Sequence, residues 1–170
     1  MEEIIARLKE TGEALAAEGA TWTDAQWEWR PEDGAWSARE IVEHLILVER
    51  SLQVALRKIL SEPARERTAA LTDDEVWRRL TSNERKVEAP ERVRPAGEWG
   101  NREEALAEFA RRRAATVEYA RTAEVPWRER WLRIPVGELD GAQILLMLSG
   151  HLLRHLEQMR ALRGRAGFPG

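Results

Sequence analysis

GAQILLMLSGHLLRHLEQMRALR, residues 141–163, is the stretch whose pattern decides the fold. Apolar residues recur in it every three or four positions, which is the period of an amphipathic α-helix. The positions that form this apolar stripe are Ile144, Leu148, Leu152, Leu156, Met159 and Leu162. Two histidines, His151 and His155, lie on the same face one helical turn apart. The stretch therefore predicts a long helix that turns its apolar face and both histidines toward a core.

Three other stretches show the same helical period. They run over residues 2–18, 38–60 and 102–122. Four amphipathic helices suffice to close a bundle around one core, and strand-like alternation is absent. The sequence therefore predicts an all-α four-helix bundle that forms a single domain over residues 1–163, followed by a flexible tail over residues 164–170.

Capping boxes mark the helix starts. In each box a polar side chain bonds the backbone N–H three residues later, where a Glu or Gln side chain bonds back. The pairs that fit are Thr23/Gln26, Ser37/Glu40, Thr72/Glu75, Asn101/Glu104 and Asp140/Gln143. The pair at Thr72 predicts a short extra helix within a long connection, residues 62–100, between the second and third long helices. A connection of that length permits a crossover, or a partial lid over one end of the bundle.

The overall composition is typical of a soluble globular protein. Hydrophobic residues make up 43% and charged residues 34% of the 170 residues, and the formal net charge is −3. Because there is no basic surplus and no long apolar run, we expect neither a nucleic-acid partner nor a membrane span. The absence of cysteine excludes thiolate ligands and cysteine nucleophiles. No secretory signal is visible, so we expect a cytoplasmic location.

The chain's three histidines all fall on faces predicted to point inward. His44 lies at the edge of the apolar stripe of the second long helix, while His151 and His155 share the last helix. An i, i+4 pair is spaced for two bonds of about 2.1 Å to one ion, and His44 adds a third ligand. Three protein ligands leave a coordination position open for water or substrate, as in catalytic zinc sites. We therefore predict one divalent metal ion at this site; the alternative is three separately hydrogen-bonded core histidines.

Three further polar residues have two possible roles each, and a fourth, Arg154, has one. Glu40 either orients His44 and acts as a base, or serves only its capping box. Gln158 bonds either a ligand or a neighbouring helix. Arg113, in the third long helix, meets either an anionic substrate or a buried glutamate. For Arg154, which lies between the two C-terminal histidines at a different helical angle, the structural role is a salt bridge to an acid on a neighbouring helix.

Eight tryptophans are a high number for a chain of 170 residues. Seven of them lie in or beside predicted connections: Trp22, Trp27, Trp29, Trp36, Trp99, Trp127 and Trp131. Such residues either plug the ends of a bundle and anchor its loops, or wall a pocket at a bundle end.

Two motifs resemble the DinB/YfiT-like superfamily of metal-dependent enzymes. The first is WSAREIVEHL, residues 36–45, which combines a Trp-Ser helix start with a histidine one to two turns later. The second is HLLRHLEQM, residues 151–159, which matches the pattern H-x-x-R-H-x-x-Q. The middle of the chain and Gly137 also fit, so the resemblance covers about residues 2–163. It implies a four-helix bundle with a three-histidine site for nickel, zinc, iron or manganese.

The resemblance leaves the reaction open. Some relatives are transferases or isomerases that use mycothiol, bacillithiol or glutathione, and others are described as metal-dependent hydrolases. We therefore expect a metal-dependent enzyme for a small-molecule substrate, acting either as a hydrolase on water or as a transferase on a small thiol cofactor. The alternative is a non-catalytic, stress-related bundle that binds metal. In both cases we expect a homodimer, since bundles of this size often pair.

Overall fold

A computed structural model describes residues 1–63, 70–82, 88–134 and 136–170. The helices in these residues are α1 (Glu2–Gly19), α2 (Asp24–Glu28), α3 (Ala38–Ser61), α4 (Asp73–Thr81), α5 (Arg102–Thr122) and α6 (Gly141–Leu162). A 3-10 turn spans Glu91–Val93, and two strands follow α5: β1 (Trp131–Ile134) and β2 (Gly137–Asp140). The four long helices predicted from the sequence are α1, α3, α5 and α6, so the prediction of an all-α bundle is confirmed.

The capping boxes place the helix starts. Complete boxes form at Thr23, Ser37, Thr72 and Asp140. At Asn101 the prediction is half right: its side chain accepts the N–H of Glu104, but the Glu104 carboxylate instead accepts the N–H of Gly100. The φ angle of Asn101 is −146°, whereas φ is −68° at Ser37. This more extended backbone turns the N–H of Asn101 away from the glutamate.

The four long helices form a closed ring of neighbours. Each of α1 and α3 packs against both α5 and α6, so α1 lies diagonally opposite α3. One apolar cluster fills the half of the bundle around Leu8, Leu56 and Ile144, and a second fills the half around Trp27 and Leu156. The three histidines lie in α3 and α6. His44 and His155 are flanked along their helices by residues of the second cluster, such as Leu45 and Leu156.

The described part of the long connection has two pieces. The helix predicted after Thr72 is α4, which packs along the side of α6 instead of covering an end of the bundle. Gly150 permits this approach, because a Cβ atom there would lie 2.9 Å from Cβ of Leu80. The second piece, residues 88–100, runs past α3 through the 3-10 turn. Residues 64–69 and 83–87 of the connection lie outside the described residues.

A buried polar layer ties the four long helices together. Arg113 of α5 forms a two-pronged ion pair with Glu49 of α3, with Nε–Oε1 and Nη2–Oε2 distances of 3.1 and 3.0 Å. Its Nη1 donates at 2.9 Å to the Leu8 carbonyl and to Oγ1 of Thr11, both on α1. Its Nη2 also lies 3.5 Å from the Leu148 carbonyl on α6. Arg113 therefore makes the pair with a buried glutamate that the sequence left as one of its two possible roles.

The β-hairpin contradicts the expectation that strand patterns are absent. Its strands pair antiparallel, with Trp131 opposite Asp140 and Ile134 opposite Gly137. Each strand has four residues, which is too short for alternation to stand out from a loop. The hairpin leads the chain into α6, because the last residue of β2, Asp140, is also the N-cap of that helix.

The C-terminal tail, residues 164–170, lies against α2 and the residues on either side of it. The ring of Phe168 makes edge contacts with Trp22 and Trp29 at centroid distances of 5.5 and 5.4 Å. Gln26 donates to the Pro169 carbonyl at 3.1 Å. This anchoring was not anticipated from the sequence, which predicts a flexible tail. Within the described part of the chain, none of the helices combines the length and the apolarity that crossing a membrane requires.

Candidate metal centre

The three histidines converge on one point. His44 comes from the second turn of α3, and His151 and His155 project from adjacent turns of α6. Nε2 of His151 lies 3.4 Å from Nε2 of His44 and 3.1 Å from Nε2 of His155. One ring nitrogen from each residue falls within 4.8 Å of the other two. The structure thus brings together all three residues that the sequence singled out as ligands.

Two of the three nitrogen–nitrogen separations match those expected around a shared metal ion, and the third, between His44 and His155, is within 4.8 Å. Two nitrogens bonded at about 2.1 Å to one ion are about 3.0 Å apart at a right angle and about 3.4 Å apart at a tetrahedral angle. The two Nε2–Nε2 distances, 3.1 and 3.4 Å, lie in that interval. Three neutral imidazoles are also the ligands that zinc, nickel and iron accept. The group can therefore hold a divalent ion.

The tautomer of His44 follows from its other ring nitrogen. Nδ1 lies 2.7 Å from the Val93 carbonyl oxygen, and both groups are buried. A carbonyl can only accept, so Nδ1 carries the proton and Nε2 presents a lone pair to the other two rings. Such a hydrogen bond on the far nitrogen is how proteins orient a metal-binding histidine.

Burial keeps the three rings neutral. It is the largest cause that lowers the pKa of His44, that of His151 to well below the ordinary value, and that of His155, which falls to about 3 with all causes together. The neighbouring histidines lower the pKa values of His151 and His155 further. At neutral pH all three rings therefore carry lone pairs, which is the form that binds metal.

Access to the cluster is on the side of His151. His44 and His155 are buried, at 4% and 5% exposed, whereas His151 is half-buried. Protein atoms crowd the His151 ring densely, and its Nδ1 is shielded from solvent. A small molecule would approach the three nitrogens past this ring.

Glu43 fixes the segment that carries the Val93 carbonyl. Its Oε1 accepts the backbone N–H groups of residues 96–98 at 2.8, 2.8 and 2.9 Å. Glu43 is 1% exposed, and its Oε2 lies 3.6 Å from Arg39. Consecutive residues of α3 thus hold the two ends of one loop: Glu43 binds residues 96–98, and His44 binds Val93. The loop and the orientation of His44 are coupled.

Sequence reasoning missed Glu43. It is an acid off the apolar stripe of α3, which is the usual pattern of a solvated position. Its partners come more than fifty residues later in the chain, so no local pattern indicates the contact. The one sequence signal is Gly97, in a Pro-Ala-Gly stretch. Its φ of +80° lies in the left-handed region, which a glycine adopts without strain.

The other candidates separate into two groups. The Glu40 carboxylate accepts the N–H of Ser37 at 2.9 Å and lies 3.6 Å from Arg30, which is the capping role. Gln158 does reach the site: it contacts the ring of His155 and by itself would raise its pKa. The contact is poorly aligned, because Nδ1 of His155 has no hydrogen bond of good geometry within the described residues.

The tryptophans divide between the two roles considered for them. Trp22 and Trp27 are each 1% exposed and plug one end of the bundle. Trp36 instead lies beside the histidines: its ring centroid is 4.9 Å from that of His44 and 6.2 Å from that of His155. Trp36 therefore forms an aromatic wall of the site.

Fold and site together define a helical bundle with a buried three-histidine group that can hold a metal ion. Residues 7–159 match the family profile of the DinB superfamily. Because the match spans most of the chain, the protein belongs to the DinB superfamily, and the family resemblance of the two motifs is confirmed. The chain has no significant match among curated proteins or among solved structures.

Proposed function

We propose that this protein is an enzyme that depends on one divalent transition metal, held by His44, His151 and His155. The observation that supports this most is the convergence of three ring nitrogens at separations that fit one ion. The His44 tautomer supports it further, because its lone pair faces the other two rings. Zinc, nickel, iron and manganese are the candidate metals.

The surroundings of the histidines favour chemistry on a small molecule. When bound, such an ion would supply Lewis acidity to a water molecule or a thiol at the position that three ligands leave open. Trp36 offers an apolar wall to the substrate. A hydrolase would use water and a transferase would use a small thiol. Since the chain contains no cysteine, such a thiol would come from solution.

Metal content tests the site. Protein purified without chelators and without a histidine tag should contain about one equivalent of a transition metal by elemental analysis. Each of His44→Ala, His151→Ala and His155→Ala should lose it. Val54→Ala is the matched control, because Val54 lies on α3 like His44 but is 67% exposed. Wild-type protein with less than about a tenth of an equivalent of any transition metal after reconstitution would contradict the proposal.

Turnover tests the reaction. Two assays are run on the metal-loaded protein: conjugation of a small thiol to a halogenated acceptor, and hydrolysis of an activated ester in water. We expect turnover in one of them, and no turnover in His44→Ala. The competing function is a non-catalytic, stress-related bundle in which the ion only joins α3 to α6. Metal-dependent stabilisation without turnover of either substrate class would favour that function.

A further inference from the structure

Arg154 is a half-buried cation next to the three histidines. It lies on α6 directly before His155 and three residues after His151. Each residue of an α-helix turns about 100° around the helix axis, so the side chains of His151 and Arg154, three residues apart, are separated by about 60° around that axis. Arg154 therefore borders the face that carries the histidines and does not lie on the opposite side of α6.

The acid expected as the partner of Arg154 is not found among the described residues. Its Nε is buried and has no hydrogen-bond acceptor in that part of the chain, and no described carboxylate lies within salt-bridge distance. A buried N–H without an acceptor is unfavourable, and an anion at this position would supply the missing acceptor.

The carboxylates near the cluster are already engaged. Glu43 accepts three backbone N–H groups and lies near Arg39. Glu40 bonds the N–H of Ser37 and lies near Arg30. Arg154 thus has no described anionic partner beside the histidines, and a divalent ion held by them would add to its positive charge. A small anion is the natural partner of such a site.

We propose that Arg154 binds the anionic group, a carboxylate or a phosphate, of the small molecule that reacts at the three-histidine site. The planar guanidinium can meet either oxyanion with two parallel N–H···O bonds. Trp36, on the other side of His155, would contact the apolar body of the same molecule. The role of Arg154 in a reaction rests on the proposed function. The binding of an anion does not, because Arg154 is present without metal.

Calorimetric titration tests this with the full-length protein, both metal-free and metal-loaded. The probes are benzoate and phenyl phosphate, with uncharged benzamide as the comparison. We expect both anions to bind and benzamide to bind much more weakly, and the tighter anion identifies the natural group. Arg154→Gln should weaken anion binding at least about 10-fold, since the charge-assisted hydrogen bonds to the anion are lost.

Two further variants make the outcome unambiguous. Arg154→Lys keeps the positive charge but loses the planar guanidinium, so it should bind the anions with an affinity between those of wild type and Arg154→Gln. It replaces Arg154→Gln as the test if Arg154→Gln fails to fold. Arg160→Gln, on the same helix but paired with Glu18 and Glu157, should bind like wild type. Equal affinity of wild type and Arg154→Gln would overturn the inference, as would wild-type protein that binds neither anion. If wild-type protein binds no metal but still binds an anion more tightly than Arg154→Gln does, only the proposed function is overturned.

Discussion

At the scale of single residues, the site depends on side chains that act through others. His44 presents its Nε2 because Nδ1 is occupied by the Val93 carbonyl, and that carbonyl is placed by the loop that Glu43 holds. A charged group that accepts three N–H bonds positions a backbone more firmly than a neutral one. Glu43 is thus a positioning residue for the candidate metal centre, although it does not touch the other two histidines.

Glu43→Gln should weaken metal binding about 10-fold, because loss of the charge loosens the loop that orients His44. The affinity is measured by competition with a chelator. Amide hydrogen exchange at residues 96–98 should become faster in the same variant. Glu98→Gln is the matched control, since Glu98 is an acid of the same loop that pairs only distantly with Arg50. Faster exchange with unchanged metal affinity would show that the loop and the site are not coupled.

Arg113→Met should destabilise the fold by about 3–5 kcal/mol, because it leaves the carboxylate of Glu49 buried without its partner. Glu49 is 1% exposed, so water cannot replace the guanidinium. The free energy of unfolding in urea measures the loss. The double variant Arg113→Met with Glu49→Leu should recover much of it, since no buried charge then remains. A single variant that loses less than about 1 kcal/mol would show that Glu49 finds another partner.

At the scale of elements, the start of α6 is a junction of several segments. Arg128 forms ion pairs with Asp73 of α4 at 2.8 Å and with Asp140, the N-cap of α6, at 3.1 Å. Gln143 donates to Asp73 at 3.1 Å and to the Leu71 carbonyl at 2.7 Å. These bonds fasten α4 to the helix that carries two of the histidines. Because they involve charged groups, the attachment depends on pH.

Asp73 should make part of the stability sensitive to acid. The hydrogen bond from Arg128 is the main cause that lowers its pKa below the ordinary value of 3.8. A lowered pKa stabilises the fold above the ordinary value, and this contribution is lost as pH falls through the lowered one. Denaturation between about pH 5 and pH 3 should therefore show a shallower loss of stability in Asp73→Asn than in wild type. Asp74→Asn, at the exposed neighbouring position, should behave like wild type; equal slopes in Asp73→Asn and wild type would contradict the assignment.

At the scale of the whole molecule, the metal site and the buried polar layer act on the same helices. Arg113 joins α5 to α1, α3 and α6, and the histidines bring α3 and α6 together within the half of the bundle that the second apolar cluster fills. An ion bound by all three histidines would therefore bind the folded chain and not the unfolded one. The bundle keeps its core without it, because the apolar clusters fill both ends.

Metal should raise the thermal stability of the protein. At a free metal concentration 100-fold above Kd, binding to the folded state contributes about 2.7 kcal/mol, which corresponds to a rise in Tm of about 5–10 °C for a chain of this size. Scanning calorimetry of metal-free and loaded protein measures it. His44→Ala should show a much smaller rise. An equal rise in wild type and His44→Ala would place the ion elsewhere on the protein.

The homodimer and the cytoplasmic location stay predictions. Sedimentation of the purified protein over a range of concentrations checks the first, and fractionation of source cells checks the second. A dimer should sediment at twice the mass of 19.5 kDa.

The local pattern of the sequence determined the helices and the ligands. Apolar periodicity and capping pairs are contained within a few residues, so α1, α3, α4, α5 and α6 could be predicted together with their inward faces. The same phasing placed His151 and His155 on one side of a helix and His44 on an inner face, and the order of the motifs indicated the family.

Only the tertiary structure decided what surrounds those ligands. Glu43 meets residues 96–98, and Arg113 meets Glu49, across separations of more than fifty residues that no local pattern encodes. The absence of a described acid opposite Arg154 is equally invisible in the sequence, which suggested a salt bridge there. The short hairpin before α6 carried too few residues to show a period. Helical period and caps arise from neighbours in the chain, whereas burial, ion pairing and the shape of the site arise from packing between distant segments.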